Sequence, residues 1–205
     1  MENNTQLKEM IRSMVIDVLQ GQKQEAASSQ PIKQAPRGQV EPGVFDTVDE
    51  AIQAAKAAQA RFEDCTLATR EKVIADIRTA MRPRVQELAQ KTVEETGMGR
   101  VADKVLKLNL TLDKTPGVED LVTECETGDN GMTLYELSAY GVIGAVTPST
   151  NPAETLICNT IGMLAAGNAV FFSVHPGAKH LSRLLVSELN QIIAKSIGIE
   201  NLIVT

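Results

Sequence analysis

The sequence has few aromatic residues and no tryptophan, since Phe and Tyr together make up 3% of its 205 residues. Proteins that bind single-stranded nucleic acid without sequence preference stack the bases on aromatic side chains, so this mode of binding is not expected. A formal net charge of -6 also argues against a protein that binds the phosphate backbone. We therefore expect no nucleic-acid partner.

Cysteine and histidine are also scarce. The three cysteines, Cys65, Cys125 and Cys158, are widely spaced, form no C-x-x-C pair and have no histidine cluster near them. Neither a disulfide framework nor a metal site is expected from such a pattern. We expect each cysteine to be a small buried hydrophobic residue rather than a nucleophile.

No hydrophobic run approaches the ~20 residues needed to span a membrane. The first twenty residues also lack the apolar core of a secretory signal, because charged side chains interrupt them at Glu2, Lys8, Glu9, Arg12 and Asp17. We expect a cytoplasmic, reducing location and no membrane partner. Hydrophobic residues still make up 43% of the chain, which is enough for a sizeable core.

The first segment of the chain, residues 1–21, is predicted to form an amphipathic helix. Its apolar residues recur at helical spacing and are Leu7, Met10, Ile11, Met14, Val15 and Val18. Residues 22–43 are rich in Gln, Ala, Ser, Pro and Gly, a composition that predicts a flexible linker. A helix separated in this way either packs back on its own domain or docks in a groove of a partner, and we favour docking. Its polar face is mixed in charge, which does not favour a helix on a membrane surface.

Residues 44–120 carry the spacing of consecutive helices. Thr47 and Glu50 form a capping box at the start of the first helix, Pro83 breaks the second, and Gly97 ends the third. The predicted helices cover residues 47–62, 69–81, 84–96 and 101–112.

Residues 121–139 are predicted to form a β-hairpin, because two roughly alternating segments flank the turn sequence GDNG at 128–131. An Asn-Gly pair between two such segments is a strong hairpin signal.

Residues 140–205 show a third pattern, in which short apolar runs alternate with helical spacing. The order strand, helix, strand, helix, strand predicts a parallel sheet joined by helical crossovers. This is the first half of a doubly wound sheet, so the predicted fold class is α/β.

Ligands of an open parallel sheet bind outside the carboxyl ends of its strands. Here these ends read TPSTNP at 147–152 and SVHPGAK at 173–179, and each leads into the N-terminus of a helix. A helix N-terminus presents free N–H groups and a partial positive charge, which suit a phosphate or an oxyanion. No G-x-G-x-x-G follows the first strand, so the residues alone indicate a nucleotide-binding fold of unusual type.

These motifs carry a resemblance to a known family. YGVIGAVTPSTNPAET, then a helix, then MLAAGNAVFFSVHPGAK resembles the first crossover of the aldehyde dehydrogenase superfamily. The forms PSTNP and HPGAK are similar to the CoA-acylating branch, which includes the propionaldehyde and acetaldehyde dehydrogenases of bacterial microcompartments. So are ETGMGRVADK, TPGVEDL and TGDNGMTLYE further upstream. The resemblance covers about residues 43–205, and the predicted helix and linker before it resemble the encapsulation extension of that branch.

The resemblance implies an enzyme that oxidises a short aldehyde through a cysteine thiohemiacetal, with NAD and coenzyme A as cofactors. It implies a homo-oligomer inside a microcompartment, an oligomerisation-type hairpin, and a shell or cargo protein as partner of residues 1–21. The family's nucleophilic cysteine follows a Gly-rich segment after the third strand, so we expect this chain to end before it and to be inactive alone. The alternatives are a hydrolytic aldehyde dehydrogenase relative and a non-catalytic module for docking and oligomerisation.

The resemblance also implies residue roles. It places the cofactor at Thr147, Pro148, Ser149, Thr150, Ser173, His175, Pro176 and Gly177. Asn151 is either the donor to an oxyanion or the cap of the following helix. The superfamily's Lys and Glu that bind the adenosine ribose align with Ser173 and Pro176, so this chain must recognise the ribose differently. A looser pocket is expected if NAD and coenzyme A, which both carry adenosine, bind in the same place. His175 either bonds to the loop backbone or contacts a cofactor phosphate or ribose.

Overall fold

The computed structural model describes residues 41–205, and the predicted N-terminal helix and most of the predicted linker lie outside them. The helices are α1 (Val48–Glu63), α2 (Leu67–Met81), α3 (Val85–Thr96), α4 (Val101–Lys114), α5 (Pro152–Ala165) and α6 (Lys179–Ile197). The strands are β1 (Glu124–Gly128), β2 (Gly131–Tyr135), β3 (Val142–Val146), β4 (Ala169–Ser173) and β5 (Ile203–Val204).

The central feature is a parallel sheet with the strand order β3-β4-β5. α5 connects β3 to β4 and α6 connects β4 to β5, so the predicted alternation of strands and helices is confirmed. The far edge of the sheet is extended by the segment before α1, because the Phe45 amide donates to the Thr205 carbonyl (3.0 Å) and the Thr205 amide donates to the Gly43 carbonyl (2.9 Å). The α/β fold class follows.

One hydrophobic core joins the N-terminal helices to this sheet. α1 packs on all three strands, while α5 packs on β4 and α6 packs on β5. The helices contribute fully buried side chains such as Phe62 of α1 and Leu156 of α5, and β4 contributes Phe172. Burying each such side chain stabilises the fold by about 1.5–3 kcal/mol before ordering costs are subtracted.

The helix boundaries follow the local signals of the sequence. The Thr47 hydroxyl accepts a hydrogen bond from the Glu50 amide (3.2 Å), which confirms the cap of α1. α2 ends at Met81 and gives way to a 3-10 turn that contains Pro83, because proline removes an amide donor from the helix interior. α3 ends at Gly97, which has a left-handed backbone with φ of 66°.

The hairpin is present, but its turn differs from the expected one. Gly128 pairs with Gly131, so the loop consists of Asp129 and Asn130 rather than of an Asn-Gly pair. β1 and β2 form a separate two-stranded sheet, and every residue in them is exposed.

The expectation that the cysteines are buried is wrong for two of them. Cys125 and Cys158 are exposed, and Cys65 is partly buried. Cys125 lies in the hairpin, where no face is covered. Cys158 lies one turn before Gly162 on α5, and both residues are exposed. The apolar residues around Cys158 in the sequence therefore did not show that it lies on the exposed side of the helix.

Candidate functional site

The two loops predicted to bind ligands lie next to each other. Val146 pairs with Ser173 at the carboxyl ends of β3 and β4. One residue further, the Thr147 amide donates to the Ser173 carbonyl (3.1 Å). The parallel register therefore brings residues 147–151 and residues 173–177 to the same edge of the sheet.

A buried lysine that the sequence interpretation missed anchors the first of these loops. Lys104 of α4 donates to the carbonyl of Thr150, to Oδ1 of Asn151 at 3.1 Å and to Oε1 of Glu154 at 3.3 Å. The side chains of Lys104 and Glu154 are only 4% and 9% exposed. The sequence spacing could have revealed its burial. Lys104 precedes the buried Leu108 and Leu112 at steps of four, which places all three on the same side of α4.

The orientation of the Asn151 side chain follows from its partners. Lys107 also donates to Oδ1 of Asn151, at 3.1 Å. An ammonium group can only donate, so the amide oxygen must face the two lysines and the NH2 group must point away from them. The NH2 group has one long contact, 3.5 Å to the hydroxyl of Thr150. Asn151 thus presents N–H donors that are almost unused.

The alternative role of Asn151 as a helix cap finds no support in this geometry. Asn151 occupies the residue before α5, but its side chain makes no hydrogen bond to the first turn. Among the described residues, no oxygen accepts a hydrogen bond from the amides of Ala153 or Glu154. Nearby, the buried hydroxyl of Thr147 also has no hydrogen-bond partner within residues 41–205. The start of α5 therefore offers several unused polar atoms to a ligand.

A cleft of about 380 Å³ lies beside Asn151. Its lining residues are Met98, Gly99, Arg100, Asp103, Lys104, Lys107, Thr150 and Asn151. Arg100 is neutralised by Asp103 at 2.7 Å, and its hydrogen bonds hold the pKa of the Asp103 carboxyl below its usual value. Since Lys104 pairs with Glu154, Lys107 is the lining cation without an ion pair to a described carboxylate. The side chains that line the cleft thus carry a net positive charge, which suits a developing negative charge.

The loop after β4 is exposed at Ser173 and from His175 to Gly177. Nδ1 of His175 accepts a hydrogen bond from the Gly177 amide at 3.0 Å, which is the backbone-bonded arrangement considered from the sequence. In the neutral imidazole, the proton must then reside on Nε2. His175 can therefore still donate one hydrogen bond to a ligand.

The N-terminus of α6 is not the anion site that the sequence suggested. The Glu95 carboxylate from α3 accepts from the amides of His180 (2.9 Å) and Leu181 (2.7 Å). A carboxylate of the protein itself therefore takes the place that a cofactor phosphate would need. The start of α5 and the exposed loop of residues 173–177 are left as the places where a ligand can bind.

Replacing Glu95 with alanine is expected to lower the free energy of unfolding by about 1–2 kcal/mol, because two charge-assisted hydrogen bonds at a helix N-terminus are lost. Urea denaturation of the two proteins measures the difference. The neighbouring exposed Glu94→Ala is the matched control, expected to change stability by less than about 0.5 kcal/mol. Equal effects of the two variants would show that Glu95 does not stabilise α6.

The cysteines are not positioned to react at this cleft. Cys158 is seven residues beyond Asn151, which is about 10 Å along α5, and neither Cys65 nor Cys125 lines the cleft. Across residues 41–205, no three His, Cys, Asp or Glu side chains are grouped as metal ligands. In the same part of the chain, no helix has the length and apolar character needed to cross a membrane.

Comparison with known proteins agrees with the resemblance seen in the motifs. The profile of the aldehyde dehydrogenase family matches residues 18–196. A propanal dehydrogenase (CoA-propanoylating) of Salmonella typhimurium is 46% identical over 203 residues, which are 99% of this chain and 42% of that protein. The chain thus spans less than half the length of this relative.

The solved structures that are similar to the chain include two propionaldehyde dehydrogenases. One is a propionaldehyde dehydrogenase from the Clostridium phytofermentans fucose utilisation bacterial microcompartment, with a TM-score of 0.78 and 48% identity, covering 80% of this chain and 38% of that one. The other is a Rhodopseudomonas palustris propionaldehyde dehydrogenase with bound CoA and an acylated cysteine, with a TM-score of 0.78 and 48% identity, covering 81% and 38%. These similarities confirm the expected resemblance.

Proposed function

Because the chain belongs to the aldehyde dehydrogenase family, we propose that it forms the N-terminal part of an NAD-dependent enzyme that converts a short aldehyde to an acyl-CoA. The observation that carries this proposal is the orientation of Asn151, whose amide oxygen is bound by Lys104 and Lys107 and whose N–H groups remain available. The similarity to a CoA-propanoylating propanal dehydrogenase supports the reaction class.

Asn151 has the chemistry required at the reacting carbonyl. Attack of a nucleophile on an aldehyde places negative charge on the carbonyl oxygen, and a fixed N–H donor ~2.7–3.1 Å away stabilises that charge. The net positive charge of the cleft acts in the same direction. Since no cysteine of this chain is positioned beside Asn151, we infer that the nucleophile is a cysteine elsewhere in the enzyme.

The residues at the ends of β3 and β4 fit a polar cofactor. We assign these residues to the binding of NAD and coenzyme A. They are Thr147, Pro148, Ser149, Thr150, Ser173, His175, Pro176 and Gly177. Thr147 supports this assignment because its buried hydroxyl has no hydrogen-bond partner in the described part of the chain. His175 supports it because Nδ1 accepts from Gly177, which leaves Nε2 as the donor of the neutral ring. When bound, NAD supplies the hydride acceptor and coenzyme A supplies the thiol that takes the acyl group.

Product analysis tests this function against its two alternatives. With propanal, NAD and coenzyme A, the enzyme is expected to form NADH and propanoyl-CoA. A hydrolytic relative would release propanoate without needing coenzyme A, whereas a non-catalytic docking module would form no NADH. Propanoate as the main product, or no turnover by the complete enzyme, would contradict the proposal.

The β1–β2 hairpin is proposed to contact another copy of the enzyme. A two-stranded hairpin is marginally stable by itself, and this one exposes Met132 (66%), Leu134 (57%) and Tyr135 (50%). Covering these side chains in a homo-oligomer would remove apolar surface from water and stabilise the hairpin.

Residues 1–21 are proposed to dock on a shell or cargo protein inside a bacterial microcompartment. The proposal comes from the sequence, in which an apolar stripe at helical spacing precedes the predicted linker 22–43. A free helix of this length is near the ~12–15 residue limit of stability in water, so binding in a groove would order it and bury the stripe together. A solved relative from a microcompartment supports the location.

A fusion of residues 1–21 to a fluorescent protein is expected to gather at microcompartments in cells that form them. The matched variant carries Ile11→Glu and Val15→Glu, which place two charges on the apolar stripe and are expected to leave the fusion diffuse. A diffuse wild-type fusion, or equal localisation of both fusions, would contradict docking and favour a helix that packs on its own enzyme.

A further inference from the structure

Lys104 and Glu154 form a buried ion pair, and such pairs often contribute no more to stability than well-packed apolar residues of similar volume, because two charges have to be removed from water. We propose that Lys104, together with Lys107, is a positioning residue that fixes the side chain of Asn151 for the reaction. This inference rests on the proposed function.

The contacts of Lys104 define one position for its ammonium group. Its three acceptors come from one short segment and are the carbonyl of Thr150, Oδ1 of Asn151 and Oε1 of Glu154. An ammonium has three N–H donors, so each has one acceptor. The Asn151 amide cannot rotate away without breaking one of these bonds, so the position of Lys104 determines the position of the amide.

The surroundings hold Lys104 in this position. Lys104 is buried on the same side of α4 as Leu108 and Leu112. Burial restricts the conformations that its aliphatic part can adopt. Glu154, in the first turn of α5, accepts a hydrogen bond from the ammonium at 3.3 Å. The geometry of Asn151 is therefore set by two helices that pack against each other.

Lys107 contributes from the exposed side of α4. It lies one turn after Lys104 and donates to the same Oδ1 of Asn151 at the same distance, 3.1 Å. Two cationic donors on one amide oxygen draw electron density toward that oxygen, which makes the N–H groups stronger donors. The pair of lysines thus both orients the amide and strengthens its hydrogen bonds to an oxyanion.

A mutant cycle in the complete enzyme tests this inference by kinetics. The double variant Lys104→Met, Glu154→Gln removes both charges and leaves no unpaired buried ion. We expect it to lower kcat by about 10- to 100-fold with KM for the aldehyde and NAD changed less than about 3-fold, and Lys107→Met to lower kcat by a smaller factor. If the lysines act through Asn151, neither change lowers kcat further in the Asn151→Ala background.

A surface ion pair supplies the matched control. Lys91 and Glu87 are also 3.3 Å apart, but both are substantially exposed on α3. Lys91→Met, Glu87→Gln is expected to leave kcat unchanged. Losses from Lys104 or Lys107 that add fully to the loss from Asn151→Ala would overturn the inference, as would an unchanged kcat in both lysine variants.

An NMR measurement distinguishes a wrong positioning role for the lysines from a wrong proposed function. With 15N-asparagine labelling of the chain, the NH2 signals of Asn151 are assigned by their loss in Asn151→Ala. We expect these signals to shift in Lys107→Met and in the Lys104, Glu154 double variant, and to stay in place in the Lys91, Glu87 control. Unmoved signals in Lys107→Met, which changes an exposed residue, overturn the positioning role. Shifted signals with an unchanged kcat in Asn151→Ala would instead contradict the catalytic role of Asn151.

Discussion

In the complete enzyme of the proposed function, replacement of Asn151 with alanine is expected to lower kcat for aldehyde oxidation by about 100-fold, as loss of an oxyanion donor does in other enzymes. The dissociation constant of NAD should change by less than about 2-fold, because the donor acts mainly on charge that develops in the transition state. The structural basis is the amide orientation, with Oδ1 bound by Lys104 and Lys107 and the N–H groups engaged only in one long contact with Thr150. Steady-state kinetics with propanal and calorimetry with NAD measure the two quantities.

Two further asparagine variants sharpen this prediction. Asn151→Asp keeps the shape and the contacts with both lysines but replaces the donors with a carboxylate oxygen, so its kcat should fall at least as far as that of Asn151→Ala. Asn159→Ala, on the helix that follows Asn151 but outside the cleft lining, should retain normal kcat. An unchanged kcat in both Asn151 variants would remove Asn151 from the mechanism.

The single substitution Lys104→Met is expected to lower the free energy of unfolding by about 3–5 kcal/mol, because it leaves the Glu154 carboxylate buried without its partner. The second oxygen of this carboxylate, Oε2, already has no hydrogen-bond partner among the described residues. A loss of this size is a large fraction of the about 5–15 kcal/mol that stabilises a typical domain. Urea denaturation of the chain measures it.

Adding Glu154→Gln to Lys104→Met should recover most of that loss, since an uncharged pair of similar volume replaces the ions. The recovery is the decisive result, because a simple packing defect at Lys104 would persist in the double variant. If the double variant is as unstable as the single one, the buried charge is not the cause of the loss.

Local patterns predicted the main helices and strands of residues 41–205. The alternation of apolar runs with helical spacing predicted the strands and crossovers of residues 140–205, and the Thr47 cap and the Pro83 break set helix ends that the structure reproduces. Each of these signals acts between residues a few positions apart, where spacing alone decides the outcome.

Contacts between distant residues were not predictable in the same way. Lys104 and Glu154 are separated by 50 positions, and Glu95 caps α6 from a distance of 85 positions. In the sequence, Lys104 reads as an ordinary polar residue of α4, although its spacing to Leu108 and Leu112 places it on the buried side. Only the packing of α4 against α5 shows that it meets a carboxylate and the Asn151 amide.

The acylating reaction and the role of Asn151 are both tested by the first turnover of the complete enzyme, measured by rapid mixing with propanal and NAD in the absence of coenzyme A. We expect a burst of about one NADH per site that then stops, because the acyl-enzyme needs coenzyme A to release its acyl group, and a burst about 100-fold slower in Asn151→Ala. Continuous NADH formation without coenzyme A would contradict the acylating reaction. An equally fast burst in Asn151→Ala would contradict the role of this chain in stabilising the reacting oxygen.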